Sequence, residues 1–113
     1  MHELPVTQSI LDIISKKSQE VQASKVTQIN VVIGELSGFV PDCIQFYFDS
    51  LSKETIAEGA ALNFKSIPVQ LRCRVCSTTF SPQDGQWTCP GCHSPSVEII
   101  GGRELYLESI EVE

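Results

Sequence analysis

Long apolar runs and positive charge are what this sequence lacks most. No stretch approaches the ~20 apolar residues that a membrane-spanning helix needs, and no basic segment followed by an apolar one stands at its start, so we expect neither a membrane protein nor a secretory signal. Eight Lys and Arg residues stand against 14 Asp and Glu residues, for a formal charge of −6. An acidic chain binds phosphates poorly, so we expect no general nucleic-acid binding.

The sequence also lacks a catalytic constellation. No Ser, Cys or carboxylate pair lies in a pattern typical of nucleophilic or acid–base chemistry, so we expect a binding protein and not an enzyme. Its 113 residues, 42% of them apolar, suffice for one domain, or for one compact domain plus a small metal-stapled module. Five cysteines without a secretory signal predict a reduced, cytoplasmic protein whose paired cysteines bind metal.

Four of the five cysteines form two short pairs. Cys73-x-x-Cys76 and Cys89-x-x-Cys92 are separated by 12 residues, a spacing typical of a tetrahedral zinc site with four thiolate ligands. Such a shell leaves no open position, so the site is expected to be structural. Four thiolates and one Zn²⁺ would take the formal charge from −6 to −8. Iron in a rubredoxin-like site and a redox-active pair are the alternatives.

Two further residues that could have a chemical role, Cys43 and His93, have ordinary structural explanations. Cys43 stands beside Ile44 in a predicted helix, where we expect a small buried apolar residue and not a nucleophile. His93 follows Cys92 directly and is expected to be an exposed loop histidine. The alternative for His93 is a replacement metal ligand under changed pH or metal load.

Apolar periodicity predicts a small α+β fold. Residues 4–22 and 41–57 have the period of amphipathic helices, whereas residues 25–34 alternate as a strand. In residues 61–71 and in residues 103–112, the alternating apolar residues switch from one face of the strand to the other part-way along. This change predicts two long, bent strands that pair as an antiparallel ribbon. The expected fold is a small sheet of about three strands packed with two helices, plus an inserted zinc-ribbon-like module.

The segment between the two ribbon strands is poor in aliphatic residues. Residues 73–95 contain three Pro and two Gly, and a segment of this composition cannot bury a core, so a metal must supply its folding free energy. We therefore expect an α/β domain of residues 1–70 and 97–113. A zinc-binding module of residues 71–96 is inserted in the last β-hairpin of that domain.

The first three residues, Met1-His2-Glu3, suggest a second metal site. The α-amine, the amide nitrogen of His2 and its imidazole can close two chelate rings in one plane, an arrangement that Ni(II) and Cu(II) favour. Glu3 could add a fourth ligand through its backbone nitrogen or its carboxylate. The alternative is an accidental histidine on a frayed terminus. An accessible terminal site suits a transferred ion, whereas a closed cysteine shell suits a structural one.

Several segments, taken in order, resemble one known family. Met1-His2-Glu3 leads into Gln8-Ser9-Ile10-Leu11, and Gly34-Glu35-Leu36-Ser37-Gly38 precedes Pro41 and Phe46-Tyr47-Phe48. The two cysteine pairs follow, and the chain then reads Gly102-Arg103-Glu104-Leu105-Tyr106-Leu107-Glu108-Ser109-Ile110-Glu111-Val112. Over essentially its full length the chain resembles the HypA/HybF family, the nickel-insertion accessory proteins of nickel–iron hydrogenase maturation.

The resemblance implies a nickel metallochaperone that delivers Ni(II) to the hydrogenase large-subunit precursor, with a HypB-type GTPase as partner. It assigns transient Ni(II) to the first three residues and structural Zn(II) to the cysteine pairs, that is, to Met1, His2, Glu3, Cys73, Cys76, Cys89 and Cys92. Delivery to urease instead, and a homodimer formed by exchange of the long hairpin, stay open. The competing class is a zinc-ribbon module for protein interaction or transcription, which explains the cysteines but not Met1-His2-Glu3.

Overall fold

The computed structural model describes residues 2–113, so Met1 lies outside the described residues. In chain order the elements are α1 (Glu3–Glu20), β1 (Val26–Gly34), α2 (Pro41–Leu51), β2 (Ala61–Ile67), β3 (Gln70–Cys73), β4 (Thr79–Phe80), β5 (Val97–Gly101) and β6 (Leu105–Val112). The strands form two three-stranded sheets, ordered β2-β1-β6 and β4-β3-β5. Within this part of the chain, neither helix is long and apolar enough to span a membrane.

Strand β1 is the centre of the first sheet, and both faces of its final residues are apolar. Val31, Val32 and Ile33 are all buried. Strand β1 pairs in parallel with β2 and antiparallel with β6. A parallel pair cannot be joined by a tight turn, and helix α2 makes the crossover from β1 to β2.

The apolar faces of the two helices build one core with this sheet. The buried cluster joins residues of α1, β1 and α2 with two alanines that precede β2: Ile10, Leu11, Ile14, Val26, Ile29, Val31, Phe48, Ala57 and Ala60. Leu105, Leu107 and Ile110 of β6 pack against it and are partly buried. The end of the chain that carries Glu3 is therefore held by ordinary hydrophobic packing.

The second sheet extends the molecule away from this core. The described residues measure 55 × 26 × 18 Å, because β3 and β5 continue beyond the ends of β2 and β6. Between residues 70 and 101, the buried apolar side chains are Leu71 and two of the cysteines, Cys73 and Cys89. This region has almost no aliphatic core of its own.

The two sheets meet at a pair of glycines. Gly34 N–H donates to the Glu104 carbonyl (2.7 Å), and Leu36 N–H donates to the Gly102 carbonyl (2.6 Å). A Cβ on Gly34 would lie 2.1 Å from the Gly102 oxygen, and Gly102 has φ of +112°. Backbone therefore packs directly on backbone at this junction, and Gly34 accepts no side chain without a shift.

The expected fold class is confirmed: two helices pack with a three-stranded sheet, and the cysteine region forms a further small sheet. Helix α2 ends at Leu51, not near residue 57, because the chain turns back at Glu54, whose φ is +64°. The hydroxyl and backbone N–H of Thr55 donate to the Ser52 carbonyl in this turn (2.6 and 3.0 Å).

The antiparallel ribbon expected from residues 61–71 and 103–112 is wrong. Strands β2 and β6 flank β1 and do not pair with each other. Strand β3 pairs antiparallel with β4 and with β5, which ends at Gly101. The parity change within residues 61–71 coincides with the break at Pro68 and Val69 between β2 and β3. Proline lacks an N–H for the strand ladder, which explains the position of the break.

Candidate metal centre

The four paired cysteines converge on one point. The Sγ atoms of Cys73, Cys76, Cys89 and Cys92 all lie within 4.8 Å of one another. Cys73 Sγ lies 3.5 Å from Cys92 Sγ, and Cys76 Sγ lies 3.5 Å from Cys89 Sγ. A tetrahedron with metal–sulfur bonds of ~2.3 Å has sulfur–sulfur edges of ~3.8 Å. The described sulfurs thus fit a tetrahedral ion with little movement.

Each pair forms the same backbone turn. Cys73 Sγ accepts the N–H groups of Val75 (3.4 Å) and Cys76 (3.5 Å). Cys89 Sγ likewise accepts the N–H groups of Gly91 (3.3 Å) and Cys92 (3.5 Å). In both pairs the first cysteine is buried and the second is exposed. Amides aimed at a sulfur stabilise its thiolate, which is the form that ligates metal.

The residue four positions after the first cysteine closes each turn. Ser77 N–H donates to the Cys73 carbonyl (3.0 Å), and His93 N–H donates to the Cys89 carbonyl (2.9 Å). Both residues have left-handed φ angles, +64° for Ser77 and +63° for His93. His93 is exposed, as expected for a loop histidine. Its backbone N–H also closes the turn, a role that the sequence did not indicate.

The groups around Cys73, Cys76 and Cys92 shift the pKa values of these three thiols in different directions. The Thr78 hydroxyl and the Thr78 backbone lower the pKa of Cys76 to about 6, and the backbone N–H of Cys76 lowers the pKa of Cys73. The Ser94 backbone also favours the Cys92 thiolate, but the neighbouring sulfurs, Cys73 first, raise the pKa of Cys92 to about 12. Four thiolates so close together repel one another, and a divalent cation removes that repulsion.

The fifth cysteine stands apart from this cluster. Cys43 is exposed on α2, so the expectation of a buried residue is wrong. Its neighbour Ile44 is fully buried, and successive helical positions point about 100° apart. A buried neighbour in sequence therefore does not imply a buried Cys43.

Of the predicted nickel ligands, Met1 lies outside the described residues, and His2 and Glu3 lie at the start of α1. His2 is exposed at the N-cap position of α1, and its side chain makes no capping hydrogen bond with the described residues. Glu3 is buried, and its Oε2 accepts a hydrogen bond from Val40 N–H (3.0 Å), just before α2. Thr7 Oγ1 donates to the Glu3 carbonyl (2.6 Å). The Glu3 carboxylate thus links the first turns of both helices, a contact that no sequence pattern indicated.

Comparison with known proteins decides the family. A family model described as "Hydrogenase/urease nickel incorporation, metallochaperone, hypA" matches residues 1–112. The chain belongs to the HypA family. It is 45% identical to hydrogenase maturation factor HypA of Dehalococcoides mccartyi, in an alignment that covers 100% of this chain and 95% of that protein.

Two further similar proteins extend the comparison. The fold matches the solution structure of the Ni metallochaperone HypA from Helicobacter pylori with a TM-score of 0.69 and 31% identity, covering 99% of this chain and 97% of that one. Guanidine hydrolase-activating protein A of Synechocystis is 35% identical over 98% of this chain and 94% of its own length. The HypA family is thus one of nickel metallochaperones acting in hydrogenase maturation, and this member has a four-cysteine site compatible with zinc.

Proposed function

We propose that this chain binds Ni(II) at its amino terminus and delivers it to the nickel–iron hydrogenase large-subunit precursor, while the four cysteines hold a structural Zn(II). The observation that carries the proposal is the family match over residues 1–112, which spans both the terminus and the cysteine pairs. The chain is a binding and transfer protein, in line with the metallochaperone description of its family, and not an enzyme.

The nickel ligands are the Met1 amine, the His2 amide nitrogen and the His2 imidazole, which together form a planar set. The exposed position of His2 and the lack of a capping role for its side chain support this assignment. Glu3 supplies the fourth ligand through its backbone nitrogen or its carboxylate. The hydrogen bond from Val40 N–H occupies Oε2, so the carboxylate also fixes the terminus against α2.

Zinc is held by the thiolates of Cys73, Cys76, Cys89 and Cys92, whose spacing fits its bond lengths. Bound there, it supplies folding free energy and no reactivity, because four protein ligands close the shell. We propose that residues 71–96 form a module held by this ion. The remaining ranges, 1–70 and 97–113, form the nickel-binding domain.

The partners follow from the same assignment. We propose a HypB-type GTPase as the nickel source and the hydrogenase precursor as the client. Urease is the alternative client, because the family description names hydrogenase and urease together. Self-association as a homodimer is the third proposed contact, and size-exclusion chromatography of the loaded and metal-free protein tests it.

The decisive experiment is a nickel titration of protein with an untagged amino terminus. A carboxyl-terminal tag should leave nickel binding intact. A short tag before Met1 should weaken it sharply, because the amine becomes a neutral amide and the five-membered chelate ring is lost. Zinc content should be equal in both proteins. Equal nickel affinity in the two proteins would show that the Met1 amine is not a nickel ligand.

The two histidines of the chain provide a matched pair of variants. Both are exposed, but only His2 belongs to the proposed nickel site. His2→Ala should abolish tight nickel binding and leave zinc content unchanged, whereas His93→Ala should leave nickel binding unchanged. If His93→Ala and not His2→Ala loses nickel, the site lies at the cysteine cluster instead.

A further inference from the structure

A groove runs along the open edge of the first sheet, between α1 and β6. Strand β1 pairs with one edge of β6, and no strand of residues 2–113 pairs with the other. Ile13 of α1 and Val21, directly after α1, line one wall, and Tyr106 and Val112 of β6 line the other. The groove has a volume of about 760 Å³. A second hollow of about 290 Å³, lined by Ile13 and Tyr106 as well, continues it as far as Pro5.

Exposed apolar surface is concentrated in this groove. Four of the eleven large apolar side chains that are exposed in the described part of the chain line it: Ile13 (46%), Val21 (63%), Tyr106 (52%) and Val112 (39%). Single exposed apolar residues are ordinary, but a contiguous set beside an unpaired strand edge indicates a binding surface. The unpaired N–H and C=O groups of β6 match the backbone of one more strand.

Charge indicates which kind of strand this groove accepts. Glu108, Glu111 and Glu113 lie on or directly after β6. A second copy of this chain paired through β6 would bring three carboxylates from each copy into one ribbon, and like charges on paired strands repel. Two lysines lie near these carboxylates. Lys65 comes within 4.0 Å of Glu108, and Lys17, which lines the groove, comes within 3.7 Å of Glu20. Lys17 is therefore balanced by Glu20, and one lysine stands against the three carboxylates of the β6 segment, so the edge stays acidic.

We propose that an extended segment of a partner protein adds to β6 as a fourth strand of the first sheet. Its alternate apolar side chains occupy the groove against Ile13 and Tyr106. Its basic side chains lie beside Glu108 and Glu111. The eight residues of β6 span ~26 Å at ~3.3 Å each, so a segment of about seven residues fills the site.

A synthetic peptide tests the backbone pairing directly. The probe is a capped peptide of about seven residues that alternates lysine and valine, and the readout is fluorescence anisotropy with hydrogen exchange of residues 105–112. We expect saturable binding and protection of β6 amides. A peptide of the same composition with its valines in one block should bind about tenfold more weakly. Equal binding of the two peptides would mean charge attraction alone and would overturn the proposal, as would no binding up to about 1 mM.

Two N-methylated versions of the alternating peptide sharpen the test. Alternate residues of a strand point their backbone groups to opposite edges. Methylation of all valine nitrogens or of all lysine nitrogens should therefore abolish binding in one case and preserve it in the other. Equal effects of the two methylation patterns would contradict strand addition.

A matched pair of variants locates the site. Ile13 and Leu4 are both on α1 and both 46% exposed, but Leu4 does not line the groove. Ile13→Lys should weaken peptide binding about tenfold, whereas Leu4→Lys, which adds the same charge, should bind nearly as the unchanged protein does. Both variants should keep the unaltered circular dichroism spectrum, since both sites are half exposed. Equal loss in the two variants would place the peptide elsewhere.

Discussion

The two sheets of this protein are held together in different ways. The sheet β2-β1-β6 is covered by two helices and packs a continuous cluster that includes Ile14, Ile29 and Phe48. In the region of β4-β3-β5, two of the three buried apolar side chains are metal-binding candidates, Cys73 and Cys89. One region is therefore stabilised by removing apolar surface from water, whereas the other has little apolar core and four sulfurs placed to bind a metal ion.

This difference separates two tasks within one short chain. A region stabilised by packing can expose a terminal chelate, because loss of the ion costs it no core. A region stabilised by an ion cannot give that ion up and stay folded. The proposed cargo site and the proposed structural site accordingly lie in different regions, with His2 at the start of α1 and the cysteines in the second sheet and its loops.

The largest expected effect is the loss of one cysteine ligand. Cys89→Ser should release zinc and unfold residues 71–96 while the helices keep their structure, because structural zinc supplies ~10–16 kcal/mol of apparent free energy in small zinc-finger peptides at pH 7. Metal analysis and hydrogen exchange measure the two parts. Cys43→Ser, at the exposed cysteine outside the cluster, is the control and should change neither. If the amides around the cluster stayed protected in metal-free Cys89→Ser protein, the ion would not be what holds this region.

Truncation of a core side chain should destabilise the helical region and leave the cysteine cluster unchanged. Phe48 is 2% exposed and Phe46 is 70% exposed on the same helix. Phe48→Ala should lower the free energy of unfolding of the helical region by about 3–5 kcal/mol, whereas Phe46→Ala should change it by less than about 0.5 kcal/mol. Urea denaturation followed by circular dichroism measures both. Zinc should stay bound in folded Phe48→Ala protein, and its release there would show that the two regions unfold as one.

A substitution at the junction tests how far the regions depend on each other. Gly34→Ala would place a Cβ 2.1 Å from the Gly102 oxygen, and the backbone shift should cost about 1–3 kcal/mol. Gly101→Ala is the control, because its nearest neighbour would be Gln70 Cβ at 3.3 Å, a contact that needs a shift of only a few tenths of an ångström. Thermal unfolding of both variants measures the difference. A Gly34→Ala protein as stable as Gly101→Ala would show that the junction adjusts freely.

The smallest expected effect concerns acid release of zinc. Thr78 lowers the pKa of Cys76 to about 6, and this depressed pKa favours the thiolate, so its contribution to metal retention is lost as the pH falls. Thr78→Val raises that pKa, because the hydroxyl is gone, and protons should displace zinc at a pH higher by about half a unit. A colorimetric zinc assay across an acid titration measures the midpoint. Thr79→Val, next in the chain, is the control; an equal shift in both would exclude the hydroxyl as the cause.

The sequence predicted local features better than distant contacts. The Cys-x-x-Cys spacing indicated a four-sulfur cluster, since two close pairs need only one turn each to present their sulfurs. Helix α1 was predicted within about two residues, because its apolar period is continuous. The pairing of β1 with β2 and β6 was missed, because parity along a strand indicates which face is buried and not which strand lies beside it.

Other errors have equally physical causes. Helix α2 was predicted too long because Thr55 continues its apolar stripe, whereas Glu54 adopts a left-handed conformation that ends it. The contact between Glu3 and Val40 joins residues 37 positions apart, and nothing in the local sequence of either indicates it. Ile13 directly precedes the fully buried Ile14 and has the spacing of the apolar face of α1, but it is 46% exposed in the groove beside β6.

The glycine junction has a consequence for the recovery of lost metal. The backbone at this junction holds both ends of the cysteine region without involving the sulfurs: Glu35 N–H donates to the Ile67 carbonyl (2.9 Å), and Leu36 N–H donates to the Gly102 carbonyl (2.6 Å). A segment of roughly thirty residues that has lost its ion is therefore a closed loop and not a free tail, and most of the entropy cost of bringing its ends together has already been met. The four thiols stay at a high effective concentration for one another, so a stripped molecule can recapture zinc without refolding the rest of the chain.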